Sequence, residues 1–137
     1  MMENSARTAA PCALVVDDEV LIRMDAASIL EDAGFQVMEA GHAEEALGLL
    51  QEHYAGISLL FSDVHMPGKL DGFDLARYTA EHWPHISIVI ASCRAQPGPD
   101  DLPAQARFVP KPFSAEIVRH HLRRMLPDDR QPRPLRV

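Results

Sequence analysis

Four places along the chain carry groups that can do chemistry, and each follows a short apolar run. Ala13 to Val16 leads into Asp17-Asp18-Glu19, and Ile57 to Ser62 leads into Asp63. Ser87 to Ala91 leads into Ser92, and Arg107 to Val109 into Lys111. If the runs are parallel strands, all four sets fall at one edge of a sheet. Carboxylates gathered there repel by roughly 4 kcal/mol per pair at about 4 Å and an effective dielectric near 20, so a positive charge must compensate. A hard divalent cation with oxygen ligands meets that need, and Mg²⁺, held by one or two carboxylates and its own waters, suits Asp17, Asp18 and Asp63. Lys111 supplies a second positive charge. With both in place, the Asp63 carboxylate can attack phosphorus, and the resulting acyl phosphate is neutralised from two sides. The Ser92 hydroxyl can donate to a phosphoryl oxygen.

The rest of the chain supplies the elements that would place these groups. The runs just named are too short for helices and apolar throughout, the pattern of strands buried on both faces. Between them lie segments of helical period. Leu21 to Ala33 carries Ile22, Ala26, Ile29, Leu30 and Ala33 at three- and four-residue spacing, with Gly34 where a helix end favours a left-handed residue. Phe35 to Ala40 reads as a strand, His42 to His53 as a helix, and Phe73 to His82 as a helix closed by Trp83-Pro84. Ser114 can cap a last helix to Leu126, where Pro127 stops it. Alternating strands and helices imply a doubly wound α/β fold with a parallel sheet, right-handed crossovers, and a functional crevice beyond the carboxyl ends of the strands.

At 137 residues the chain has the size of one domain, and 47% hydrophobic with 24% charged residues is a globular balance. The expected division is a loose N-terminus over 1–11, one domain over 12–126, and a loose Pro- and Arg-rich tail over 127–137. A formal charge of -7 argues against direct nucleic-acid binding. No apolar stretch approaches a membrane span, and the expected location is cytoplasmic. Cys12 and Cys93 lack metal or redox spacing. The seven histidines also lack ligand spacing, since His82 and His85 flank a helix break and His120 and His121 point apart.

In order, the strings LVVDDE, LLFSDVHMPG, a hydroxyl residue after the fourth strand, and KPF resemble those of response-regulator receiver domains, over nearly the whole chain. Together they are specific; each alone is weak. The resemblance implies a five-stranded flavodoxin-like sheet of order 2-1-3-4-5. It implies that Asp63 accepts the phosphoryl group, that Asp18 ligates Mg²⁺ directly with Asp17 in support, and that the backbone carbonyl of His65 is a further ligand. Ser92 and Lys111 match the hydroxyl and lysine positions, Phe108 matches an aromatic switch, and Lys111-Pro112 would be a cis peptide. The implied function is a stand-alone response regulator taking phosphate from a histidine kinase or histidine phosphotransfer protein. It would signal through altered binding to an unidentified downstream protein, and its only catalysis would be transfer to its own aspartate.

Two departures accompany the resemblance. The loop Gly68-Lys69-Leu70 is one residue longer than the common pattern. Between Ser92 and Phe108, Pro97, Pro99 and Pro103 with Gly98 rule out a regular fourth helix of two or more turns, so that helix is expected short or absent and Cys93 to Arg107 is expected to be the moving element. Two other readings use the same groups. A phosphatase of the haloacid dehalogenase type would have its nucleophile and second acid two residues apart after the first strand, whereas Asp17 and Asp18 are adjacent and Asp63 follows the third. A pseudo-receiver, binding partners without phosphorylation, needs only one defect in the site; Ala91, one position before Ser92, leaves the hydroxyl's register open.

Overall fold

The structure is a computed structural model that describes residues 10–93, 98, 102–127 and 130–136. Five strands, β1 Cys12–Val16, β2 Gln36–Ala40, β3 Ile57–Asp63, β4 Ser87–Ser92 and β5 Ala106–Pro110, form one parallel sheet of order β2-β1-β3-β4-β5. The helices are α1 Val20–Asp32, α2 Ala43–His53, α3 Gly72–His82, α4 Ala115–Met125 and the single turn α5 Arg133–Arg136. This is the flavodoxin-like arrangement expected above.

The two-residue period of a strand explains why the sheet carries two cores. Ala13 and Val15, Leu59 and Phe61, Val89 and Ala91 face one side, where Ile29, Leu30, Val118 and Leu122 of α1 and α4 cover them. Leu14 and Val16, Leu60, Ile88 and Ile90 face the other, under Ala46, Leu50, Leu75 and Ala76 of α2 and α3. Alternate residues of the three central strands are thus fixed from both faces, and the strand ends cannot shift without disturbing packed side chains.

Local chemistry terminates the helices. Past α1, the amide of Gly34 donates to Glu31 O at 2.9 Å and that of Phe35 to Leu30 O at 3.0 Å. This is a Schellman end, and it requires the positive φ of 106° that Gly34 adopts. Asp71 and Asp74 cap α3 reciprocally, and the Ser114 hydroxyl accepts from Ile117 N at 3.1 Å to start α4.

Between β4 and β5 the described residues hold no helix. Residues 94–97 and 99–101 lie outside the described set, and with them seven of the fifteen residues of the segment expected to move. Leu102 and Ala106, at its far end, pack against the α2–α3 core.

The tail differs from expectation over residues 130–136. Gln131, Pro132 and Leu135 are buried, and Leu135 joins the core under α1 and α4. The Gln131 amide donates to Leu126 O at 2.9 Å and Arg123 O at 3.1 Å, closing the end of α4. Arg123 donates to Leu135 O at 3.1 Å, and Arg119 to Pro134 O. Pro132 seats against Gly34, where a Cβ would lie only 2.5 Å from the proline Cβ. The low apolar content of this stretch concealed one well-placed leucine. Truncating Leu135→Ala is expected to cost about 2–3 kcal/mol in urea unfolding, the lower part of the range for a buried leucine, because a chain end can partly collapse. An unchanged midpoint would show that the tail contact contributes nothing.

Candidate functional site

The carboxyl ends of β1, β3, β4 and β5 open into one cleft, of about 320 Å³, lined by Asp18, Glu19, Asp63, His65, Ser92, Cys93 and Lys111. The structure therefore brings together Asp17, Asp18, Asp63, Ser92 and Lys111 from four strand ends. Asp17 and Asp63 are buried, whereas Asp18 is exposed to the cleft.

Lys111 is the electrostatic centre. Its ammonium group donates to Asp17 Oδ2 at 2.9 Å and lies 3.2 Å from Asp63 Oδ1, with all three side chains nearly inaccessible. Its amide donates to Ser92 O at 3.0 Å, so the backbone after β5 is stitched to the end of β4. The Lys111-Pro112 peptide is cis.

Asp17 is held at several points. Its amide donates to Ala40 O at 3.1 Å, its Oδ1 accepts from Glu19 N at 2.9 Å, and its carbonyl accepts from Arg23 Nη1 at 3.1 Å. Arg23 also pairs with Glu39 at 2.9 Å, bridging α1 to β2. With one oxygen on Lys111 and the other on a backbone amide, Asp17 leaves Asp18 and Asp63 as the acids presented to the cleft.

These surroundings move the titrations. Burial raises the Asp63 carboxyl above its ordinary value; the Lys111 charge opposes this and the Asp17 charge adds to it. Burial alone would depress Lys111, but the hydrogen bond to Asp17 and the charges of Asp63 and Asp17 outweigh it and hold the ammonium above the usual lysine value. One lysine is thus shared between two acids while a third stands beside them. Carboxylate oxygens of Asp17, Asp18 and Asp63 lie within 4.8 Å of one another, a hard oxygen donor set of the kind a divalent cation accepts.

Register settles the position of Ser92. Asp63 pairs with Ala91, and Ala91 points into the α1–α4 core, so Ser92 is the residue that faces the cleft beside Asp63 and Lys111. Phe108 pairs with Ile90, is half-buried, and packs on the α2–α3 side of the sheet rather than in the cleft. Glu19 and Cys93 also line the cleft; the sequence places Glu19 in the acidic run after β1 but assigns neither residue a role there.

The β3–α3 connection passes under the site. Gly72 donates to Val64 O at 2.8 Å, and a Cβ on Gly72 would fall 2.0 Å from Asp63 O. Only glycine allows α3 to begin this close to the end of β3.

Comparison with known proteins agrees with this geometry. The sequence model of the family described as the response regulator receiver domain matches residues 13–123, and the chain belongs to that family. It is 34% identical over 116 residues to the sensor kinase CckA of Brucella abortus, an alignment covering 82% of this chain and 12% of that protein. It is 36% identical over 108 residues to the transcriptional regulatory protein PdtaR of Mycobacterium tuberculosis, covering 74% of this chain and 49% of that one. The chain thus spans half or less of these relatives. Among solved structures, the receiver domain of the hybrid histidine kinase CckA matches with a TM-score of 0.72 and 30% identity, covering 85% of this chain and 99% of that one. The Vibrio cholerae chemotaxis protein CheY4 matches at 0.74 and 29%, covering 86% and 100%. Receiver domains serve phosphorylation-based two-component signalling, interact with histidine kinases or phosphotransfer proteins, and generally bind Mg²⁺ at an acidic pocket.

Proposed function

We propose that this receiver domain takes a phosphoryl group from a phosphohistidine, on a histidine kinase or histidine phosphotransfer protein, onto the Asp63 carboxylate. It signals through altered binding to a downstream protein. The observation that carries this reading is the pairing of buried Asp63 with Lys111 at 3.2 Å in a cleft that also presents Asp18 and Ser92.

Asp18, Asp63 and the His65 carbonyl would hold Mg²⁺, with Asp17 in support. When bound, the ion offsets the negative charge of the carboxylates and phosphoryl oxygens. An Asp63 oxygen attacks phosphorus; the new O–P bond forms as the P–N bond to the donor imidazole breaks, and its electron pair stays on that nitrogen. Lys111 neutralises the product together with the ion, and the Ser92 hydroxyl donates to a phosphoryl oxygen. The chain acts on no separate substrate. Next to Glu19 at the cleft, Val20, Leu21 and Met24 of α1 are 52%, 80% and 55% exposed, apolar surface open to a partner protein such as the phosphodonor. Phe108 and the segment from Cys93 to Arg107 would transmit the change. The net charge of -7 favours a protein rather than nucleic acid as partner.

The test is incubation with a small phosphodonor and Mg²⁺ followed by intact mass. One added phosphoryl group, absent when a chelator replaces Mg²⁺, is expected. No added mass under any donor would leave a partner-binding pseudo-receiver. Metal binding is separately measurable. At about 100 Kd, Mg²⁺ should stabilise the native state by ~2.7 kcal/mol. Asp18→Ala should lose most of that gain in thermal unfolding, and equal gains in both proteins would remove Asp18 from the ligand set.

A further inference from the structure

The loop from Val64 to Asp71 is fastened at its base, by Gly72 N to Val64 O at 2.8 Å and by the reciprocal Asp71–Asp74 cap. Its tip, Gly68-Lys69-Leu70, is the stretch one residue longer than the common receiver pattern, and it needs a hold from elsewhere. Glu44, in the first turn of α2, supplies it. Glu44 Oε2 accepts from Lys69 N at 3.1 Å. Gly68 turns through a φ of +107°, which favours glycine, and the Glu44 carboxylate lies close over the turn, with Oε1 2.7 Å from where a Cβ would stand. The same loop brings His65 to the rim of the acid cleft.

We propose that Glu44 is a positioning residue for that cleft: by gripping the loop tip from α2, it holds the His65 carbonyl in place to receive the cation. This rests on the reading of the cleft as the Mg²⁺ site. The physical reason is preorganisation. With Glu44 in place the loop is fixed at base and tip, and the carbonyl is already oriented; without it, the loop must be ordered when the ion binds, and affinity falls. Groups that orient ligands from behind commonly matter by tenfold or more. Here one of several ligands is affected, and the carboxylate is partly exposed.

The experiment measures Mg²⁺ affinity by calorimetry and amide exchange at Lys69 by NMR in metal-free protein. Glu44→Ala should weaken Mg²⁺ about fivefold to tenfold and speed Lys69 exchange at least tenfold, with the unfolding midpoint in chelator little changed. Glu44→Gln, which keeps one carbonyl acceptor, should fall between. Asp18→Ala should lose Mg²⁺ binding while Lys69 stays protected, which separates the loop grip from the ligand set. Fast Lys69 exchange with affinity within twofold of the parent would overturn the positioning role. Unchanged exchange in Glu44→Ala would overturn the grip itself. A parent protein that binds no Mg²⁺ would refute the cleft reading and the positioning role with it, whatever the exchange at Lys69 showed.

Discussion

Asp63→Asn is expected to take up no phosphoryl mass from any donor that labels the parent. An amide oxygen is a poor nucleophile, and the substitution keeps the shape of the side chain, so loss of labelling would report chemistry rather than folding. Asp17 and Asp18 do not substitute for it. Asp17 has one oxygen on Lys111 and the other on the Glu19 amide, and Asp18 stands exposed, paired with no lysine among the described residues. The same variant should be no less stable than the parent in chelator, because it removes one of the clustered charges. Labelling of Asp63→Asn to the parent's extent would assign the phosphoryl group to another residue.

Lys111→Met should have the largest effect on stability, on the order of 3 kcal/mol in chelator at neutral pH. That is the lower end of the cost of stripping one partner from a buried ion pair, since the cleft admits water. Two buried acids, Asp17 and Asp63, then face each other without a counter-charge. The pH dependence follows from the directions of the two shifts. Lys111, raised in the parent, contributes stability that is present below the unfolded lysine pKa and is lost only as pH rises through its higher folded value; it acts fully at neutral pH. Asp63 is also raised, so its contribution is fully present below the unfolded carboxyl pKa and is lost as pH rises through the folded one. Removing Lys111 takes away the influence that lowers Asp63, which raises it further. The gap between variant and parent should therefore be widest near neutrality and shrink as pH falls and Asp63 takes up its proton. Adding Asp63→Asn to Lys111→Met should recover much of the loss. A gap that does not change with pH, or a double variant no better than the single, would mean that Lys111 stabilises through packing of its stem.

The parts legible in the sequence are those whose physics is local. Leu14, Leu60, Ile88 and Ile90 sit in runs apolar on both faces, and such runs belong to central parallel strands, so the sheet and its functional edge could be read directly. Asp17, Asp18, Asp63 and Lys111 stand where those runs stop, and the structure brings them together. Other features depend on distance in sequence. Ser92 was ambiguous against Ala91 until pairing with β3 and β5 showed which residue faces the α1–α4 core. Arg23, which ties Asp17 to Glu39, and Glu44, which grips a loop 25 residues on, look like ordinary helix-surface charges. Leu135 was hidden for a different reason: a four-residue turn is too short to display a period, and prolines around it read as a loose end.

The seat of the tail on Gly34 has a practical consequence. α1 leaves the acid cleft and ends at Gly34 on the opposite edge of the sheet, where Pro132 and Leu135 are fastened to it and to α4. A fluorophore or spin label placed at the exposed Arg133 would therefore tumble with the whole body rather than swing on a tether, far from the chemistry. It would make this edge a quiet reference mark against which distances to the other end of the molecule can be measured.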